Sequence, residues 1–132
     1  FGVLERASKA TGEGVVRARQ AFEDISMVME QQFERFDVIL SPVTASLTPA
    51  LGELSLNQPY ESYARKAMGS AAFTVLANVS GQPAITLPLG MSDNGLPVGM
   101  MFTARLGAED VLLRLASQLE QDRPWVARRA VI

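Results

Sequence analysis

Residues 73–90 read FTVLANVSGQPAITLPLG and predict a helix, a sharp corner and a strand. Gly81 stands where the helix should end, because glycine adopts the left-handed conformation without steric cost. Gln82 precedes Pro83, which disfavours a helical conformation for Gln82. Beyond the corner, large apolar residues alternate with other residues, which is the period of a strand. Pro88 has no backbone donor, so it should lie at a sheet edge, a bulge or a strand end.

The sequence before this corner predicts a helix, a strand, a loop and further helices. Residues 13–36 carry apolar side chains at steps of three and four, which predicts an amphipathic helix. Three consecutive apolar residues within 37–42 predict a fully buried strand in a partly parallel sheet. Residues 43–59 are rich in Pro, Ser and Thr and predict a long loop, of a kind that is often functional. Residues 60–80 predict short helices, with a break at Gly69.

The sequence after the corner predicts a hairpin and a final helix. Residues 84–104 contain two strand-like runs joined at Asn94-Gly95, a strong hairpin signal, so the strands should pair antiparallel. Residues 108–122 predict an amphipathic helix, followed by an irregular tail to Ile132. Taken together, residues 1–132 predict a single segment of α/β class, with helices layered on part of a mixed sheet.

Composition excludes several classes of site. The 132 residues include 48% hydrophobic residues and carry a net charge of -2, which gives no electrostatic reason to expect nucleic acid as a partner. No apolar run approaches the about 20 residues that span a membrane. The absence of cysteine excludes disulfides and favours a cytoplasmic location. Because the first residue is Phe1 rather than Met, we expect a processed or truncated chain.

Catalytic chemistry has few candidates in this sequence. Histidine, the commonest general base, is absent, and Lys9 and Lys66 are the only lysines. Lys66 and Ser70 are four residues apart and would share one face of a continuous helix. Since Gly69 lies between them and is expected to end the helix, an ordinary lysine near a loop serine is the favoured interpretation.

Five pieces of sequence, in this order and spacing, resemble the C-terminal part of amidase signature enzymes. They are FDVILSP (36–42), FTVLAN (73–78), SGQPAITLP (80–88), GLPVG (95–99) and a helix that reaches Glu120 before Trp125. The resemblance covers nearly all of the chain from about residue 13. Residues 102–107 and 116–125 are most similar to the branch that contains the cyclic aminohexanoate-dimer hydrolase.

The resemblance implies an enzyme that hydrolyses linear or cyclic carboxylic amides without a cofactor or metal. Members of the family use a serine nucleophile, a second serine and a lysine base, which lie in a Gly/Ser-rich region toward the N-terminal side. This sequence contains no Gly-Gly-Ser-Ser-Gly-like run. No catalytic residue is therefore assigned to this chain, and we expect it to be a C-terminal fragment that is inactive alone.

The resemblance also implies that the helix before the corner lines part of the substrate pocket. The candidate substrate-binding residues are Phe73, Thr74, Ala77 and Asn78. An equally weighted alternative is that Phe73 belongs to the core and that Asn78 caps the end of the helix.

Two other functions remain open on the sequence. One is a free-standing α/β module that binds a partner without catalysis, and the other is the glutamine-hydrolysing subunit of an amidotransferase. An in-frame signature region in the DNA directly upstream would favour the amidase, and a start codon near Phe1 would favour the module. Because a piece of a larger sheet exposes apolar faces and strand edges, we expect the isolated chain to form a homodimer.

Overall fold

A three-stranded sheet and five helices are seen in the computed structural model, which describes residues 2–127. The elements, in chain order, are α1 Gly2–Ala7, α2 Gly12–Gln32, β1 Val38–Pro42, α3 Tyr60–Ser70, α4 Thr74–Ser80, β2 Ala84–Met91, β3 Pro97–Ala104 and α5 Glu109–Asp122. The α/β class predicted from the sequence is confirmed. The predicted irregular tail reaches residues 128–132, which lie outside the described residues. No helix within residues 2–127 is long and apolar enough to cross a membrane.

The long helix α2 begins with a side-chain cap and ends earlier than its apolar pattern predicts. The Thr11 hydroxyl accepts a hydrogen bond from the Gly14 amide at 3.1 Å, which satisfies one of the free donors at a helix start. The amide of Phe33 bonds to the Glu30 carbonyl, so the backbone tightens into turns after Gln32. The helix predicted over residues 13–36 therefore stops four residues short, and Phe36 is exposed.

The strand β1 is antiparallel and only partly buried, so the predicted fully buried strand in a partly parallel sheet is wrong. The strand order is β1-β3-β2, and β1 pairs with β3 from Val38 opposite Ala104 to Pro42 opposite Met100. The pairing of β2 with β3 is also antiparallel, as predicted, so these three strands do not form a mixed sheet. Leu40 is 55% exposed. An apolar run is buried on both sides only where layers cover both faces of the sheet, and here Leu40 lacks such a cover.

The corner between α4 and β2 has the backbone predicted for it. Gly81 has a φ of 77°, in the left-handed region, and its amide donates to the Ala77 carbonyl at the end of α4. On the other side, the Ala104 amide donates to the Pro83 carbonyl at 3.1 Å. Pro88 lies in the edge strand β2, beside a register shift between Leu87 and Gly90, which confirms its predicted position.

Gly69 does not break the helix that contains it. The helix α3 continues through Gly69 to Ser70, and the Ala71 amide still bonds to the Ala67 carbonyl. A single glycine weakens a helix by only about 0.5–1 kcal/mol relative to alanine, which neighbouring turns can offset. As a result, Lys66 and Ser70 lie one turn apart on a continuous helix.

The core lies between α5 and the sheet. Leu112 of α5 packs with Leu87, Phe102 and Ala104 of the two hairpin strands, and all four are buried. Partly buried side chains surround this cluster, among them Leu115 of α5 and Trp125, which follows α5. The hairpin and α5 therefore form the best-packed part of the described chain.

Candidate functional site

The four predicted substrate-binding residues lie at the start of α4 and along it. Phe73 immediately precedes the helix and is 37% exposed, so it is not part of the core that the described residues form. Thr74 is half-buried and Asn78 is exposed, and the two share one face because they are four residues apart. Ala77 is 8% exposed, and Ser80, one turn later, is also buried, so these two residues face the interior of the chain. The structure thus separates Ala77 from the three residues that reach the surface.

The polar side chains of this group are tied to the backbone of their own segment. The Thr74 hydroxyl donates to the Ala71 carbonyl at 3.1 Å. The Asn78 side-chain amide donates to the Thr74 carbonyl at 2.8 Å, in the first turn of α4 rather than at its end. Asn78 is therefore not the cap of the helix end, which Gly81 provides. These bonds fix the direction of both side chains on the exposed face.

An open cleft of about 490 Å³ lies beside the end of α3 and includes Lys66 and Ser70. The Ser70 hydroxyl lies 3.4 Å from that of Ser46, and the Ala45 amide donates to the Ser70 carbonyl at 3.1 Å. Within residues 2–127 no hydrogen bond joins Lys66 to Ser70. The pair therefore shares a cleft but is not arranged as a nucleophile and its base, which require hydrogen-bond contact.

A second open cleft, of about 290 Å³, adjoins the first and shares Ala45 and Ser46 with it. Residues 44–48 form one wall, and the turn at Ser92 and the start of β3 form the other. The loop over residues 43–59, predicted to be functional, thus borders both clefts. The hydroxyl groups and apolar side chains that line the second cleft can hold a neutral polar group by hydrogen bonds, but they supply no acid or base.

The sequence reading missed the polar junction where α2 meets the corner. Glu30 Oε1 accepts from the Leu106 amide at 3.0 Å and from Gln82 Nε2 at 3.2 Å. The bond from Leu106 and then that from Gln82 lower the pKa of Glu30 below its ordinary value of 4.5. Arg105 lowers this pKa further, while partial loss of water acts in the opposite direction. Glu30 does not belong to the apolar pattern that predicts the helix over residues 13–36, so that pattern gives no sign of this junction.

The signal that could have revealed this junction is Gln82 itself. It stands between a glycine and a proline, at a corner that must be buried if the helix and strand pack together. A buried amide side chain needs partners for both its oxygen and its nitrogen. Such a residue calls for a charged or polar group from a distant element, although the sequence does not say which one.

Comparison with known proteins gives a family match over most of the chain. A family model described as Amidase matches residues 3–113. The 6-aminohexanoate-cyclic-dimer hydrolase of Paenarthrobacter ureafaciens is 38% identical over 134 residues, covering 96% of this chain and 27% of that protein.

Solved structures give the same result. A 6-aminohexanoate cyclic dimer hydrolase complexed with substrate matches with a TM-score of 0.87 at 39% identity, over 95% of this chain and 27% of that chain. The A subunit of the glutamyl-tRNA(Gln) amidotransferase of Thermotoga maritima matches with a TM-score of 0.74 at 27% identity. This match covers 94% of this chain and 26% of that chain. This chain therefore spans about a quarter of the length of each of these three relatives, 26% to 27%.

Proposed function

The chain belongs to the amidase family, and we propose that it is part of an enzyme that hydrolyses linear or cyclic carboxylic amides. The resemblance to amidase signature enzymes seen in the sequence is thereby confirmed. The observation that carries the proposed activity is the likeness, over 95% of the chain, to a hydrolase named for a cyclic amide substrate. Small-molecule amides are accordingly the proposed substrates of the whole protein.

The proposal places the reacting groups outside these 132 residues. Amide hydrolysis by a serine requires a base in hydrogen-bond reach of the nucleophile and donors for the developing oxyanion. Lys66 and Ser70 do not make such a contact, and the chain covers 27% of the hydrolase that it resembles. The role left for this chain is to complete the sheet and to form one side of the substrate pocket.

Within that role, we assign the pocket-lining surface to Phe73, Thr74 and Asn78, with Ala77 behind them. The exposure of Phe73 and Asn78 supports this assignment, because neither side chain is used to build the core of this chain. The hydrogen bonds of Thr74 and Asn78 to α4 and its preceding turn hold the two side chains in defined directions. A fixed mixture of apolar and amide groups is typical of small-molecule pockets.

Hydrolysis of a chromogenic anilide and of a cyclic diamide tests the proposed activity. This chain alone should show no turnover and no labelling by a serine-reactive fluorophosphonate. The product of the gene together with its upstream coding region should hydrolyse at least one of the amides. Labelling of this chain alone, abolished by Ser70→Ala, would overturn the assignment of the catalytic groups to another part of the protein.

The pocket assignment has its own test in the longer protein. Thr74→Leu should change the ratio of kcat/KM between a small and a bulky acyl anilide by about tenfold, since one or two methylenes in a pocket are worth about 10–200-fold. Ser117→Leu, on the exposed side of α5, is the matched control and should leave the ratio unchanged. An unchanged ratio in Thr74→Leu would contradict the assignment of α4 to the wall of the pocket.

A second candidate function is the glutamine-hydrolysing component of an amidotransferase. The observation that favours it is the match over 94% of the chain to the A subunit of the Thermotoga maritima amidotransferase. It ranks second because both the identity and the TM-score are lower than for the cyclic-dimer hydrolase. Glutaminase activity of the longer protein, without anilide hydrolysis, would reverse this order. A non-catalytic binding module, the third option, predicts neither activity.

We also propose that the isolated chain forms a homodimer. The exposed apolar side chains of α2 support the dimer, because a second copy could cover them. They are Val15, Val16, Phe22, Met27 and Val28. Sedimentation velocity at micromolar concentration should give a dimer that Phe22→Glu converts to a monomer, and a monomeric unmodified chain would overturn this proposal.

For the location of the protein we propose the cytoplasm. A sequence without cysteine supports this proposal, because it fits a reducing compartment.

A further inference from the structure

One carboxylate joins three segments that are far apart in the sequence. Both the Gln82 side chain, 52 residues away, and the Leu106 amide, 76 residues away, donate to the same oxygen of Glu30. Bonds to an ionised carboxylate are about twice as strong as those between neutral groups. Glu30 therefore connects α2 to the corner and to the turn between β3 and α5.

The Gln82 side chain is fixed at both of its ends. Its nitrogen donates to Glu30, and its oxygen accepts from the Ser80 hydroxyl, which also approaches the Leu76 carbonyl. Gln82 is 6% exposed, so water cannot readily replace either partner. One turn before Glu30, the Ser26 hydroxyl donates to the Ser80 carbonyl at 3.0 Å. The end of α4 and the corner that follows it are thus bonded to α2 at two successive turns.

These contacts determine the direction of α4. Its packing partner among the helices is α2, and its carboxyl end continues directly into the corner. The corner is in turn attached to β3 through the Pro83 carbonyl. A change at the Glu30–Gln82 contact would therefore move α4 relative to the sheet, and Thr74 and Asn78 with it.

From this geometry we propose that Glu30 is a positioning residue, which acts through Gln82 to set where α4 presents Thr74 and Asn78 to an amide substrate. The proposal rests on the proposed function for its substrate, but its structural half concerns this chain alone. Arg105 is the charged group that faces the carboxylate from the β3–α5 turn. Glu34 lies four residues further along the chain, in the turn that follows α2, and borders the same groove. Residues 74–83 contain no ionisable side chain.

The structural half is tested by NMR on this chain. The Leu106 amide and the Gln82 side-chain amide should titrate together, with a midpoint below the ordinary pKa of 4.5. Glu30→Gln should abolish this titration and shift the amide resonances of Thr74 and Asn78. Glu34→Gln, the matched control, should do neither. Unmoved Thr74 and Asn78 resonances in Glu30→Gln would overturn the positioning role, whatever the protein catalyses.

The functional half is tested by kinetics of the longer protein. Glu30→Gln should lower kcat/KM for a bulky anilide by about tenfold, mainly through a higher KM. A misplacement of about 1 Å can cost about a hundredfold, and we expect a smaller displacement of α4 here. Its kcat for a small anilide should change little, since Glu30 does not touch the reacting atoms. Gln82→Met, which keeps the length but removes the donor, should reproduce the effect, and Glu34→Gln should not.

The two proposals fail in different ways. If the unmodified longer protein hydrolyses no amide while the NMR shifts occur as expected, the proposed activity fails and the positioning contact stands. If the protein is active and Glu30→Gln has the kinetics of Glu34→Gln, the positioning role fails and the activity stands.

Discussion

The hairpin with α5 and the long helix α2 both carry regular apolar patterns, but only the first of them buries its apolar face. In the hairpin and α5, Leu112 and Phe102 are buried together with their neighbours. In α2 no residue is buried, and Phe22 is 50% exposed. The side chains of Ser26 and Glu30 form the hydrogen bonds that join α2 to α4, to the corner and to the turn after β3. An apolar pattern is thus sufficient to form a helix, whereas burial requires a partner surface.

Phenylalanine-to-alanine substitutions should give the largest difference in unfolding free energy between the two regions. Phe102→Ala removes a side chain that is 6% exposed and should lower the free energy of unfolding by about 3–5 kcal/mol. Phe22→Ala, the matched change on α2, should cost less than about 1 kcal/mol, because the side chain gives up little burial. Urea unfolding followed by circular dichroism measures both. Equal costs at low protein concentration would mean that α2 buries its face after all.

Substitutions at two glycines test the effect of backbone conformation on stability separately from the effect of burial. A Cβ would meet no atom within 4 Å at either Gly81 or Gly69, so packing is not a factor. Gly81→Ala should destabilise the chain by about 1–2 kcal/mol, because its φ is in the left-handed region. Gly69→Ala, inside α3, should instead stabilise it by about 0.5–1 kcal/mol. Thermal unfolding should show opposite shifts in Tm, and shifts of the same sign would contradict the structure.

The smallest expected effect concerns the polar attachment of α2 and depends on pH. The pKa of Glu30 is lower in the folded chain than its ordinary value of 4.5, so its ionised form favours folding above that value. This stabilisation should disappear as the pH falls through the lowered pKa. The difference in urea midpoint between the unmodified chain and Glu30→Gln should therefore be larger at about pH 7 than at about pH 3.

Glu34→Gln should show no such convergence, because the pKa shift belongs to the carboxylate that accepts the two hydrogen bonds. A Glu30→Gln difference that is constant with pH would mean that the attachment does not depend on the charge of Glu30.

The candidate site was only partly predictable from the sequence. The resemblance directed attention to α4, and the exposure of Phe73 and Asn78 is compatible with the pocket role that remains a prediction. The junction of Glu30 with Gln82 was not predicted, because no local pattern relates residues 52 positions apart. The helix break at Gly69 was predicted wrongly, since a local preference of about 1 kcal/mol is easily outweighed by the turns on either side.

The sequence alone determined the features that short-range chemistry controls. These include the left-handed Gly81, the corner at Pro83, the hairpin at Asn94-Gly95 and the order of helices and strands from α2 onward, whereas the short helix α1 was not predicted. Tertiary structure alone decided that β1 pairs with β3 as an antiparallel edge strand, and that α2 attaches by polar bonds and leaves most of its apolar side chains exposed. The physical reason is range. Steric limits and periodicity act over a few residues, whereas burial and strand pairing depend on surfaces that the chain brings together only when it folds.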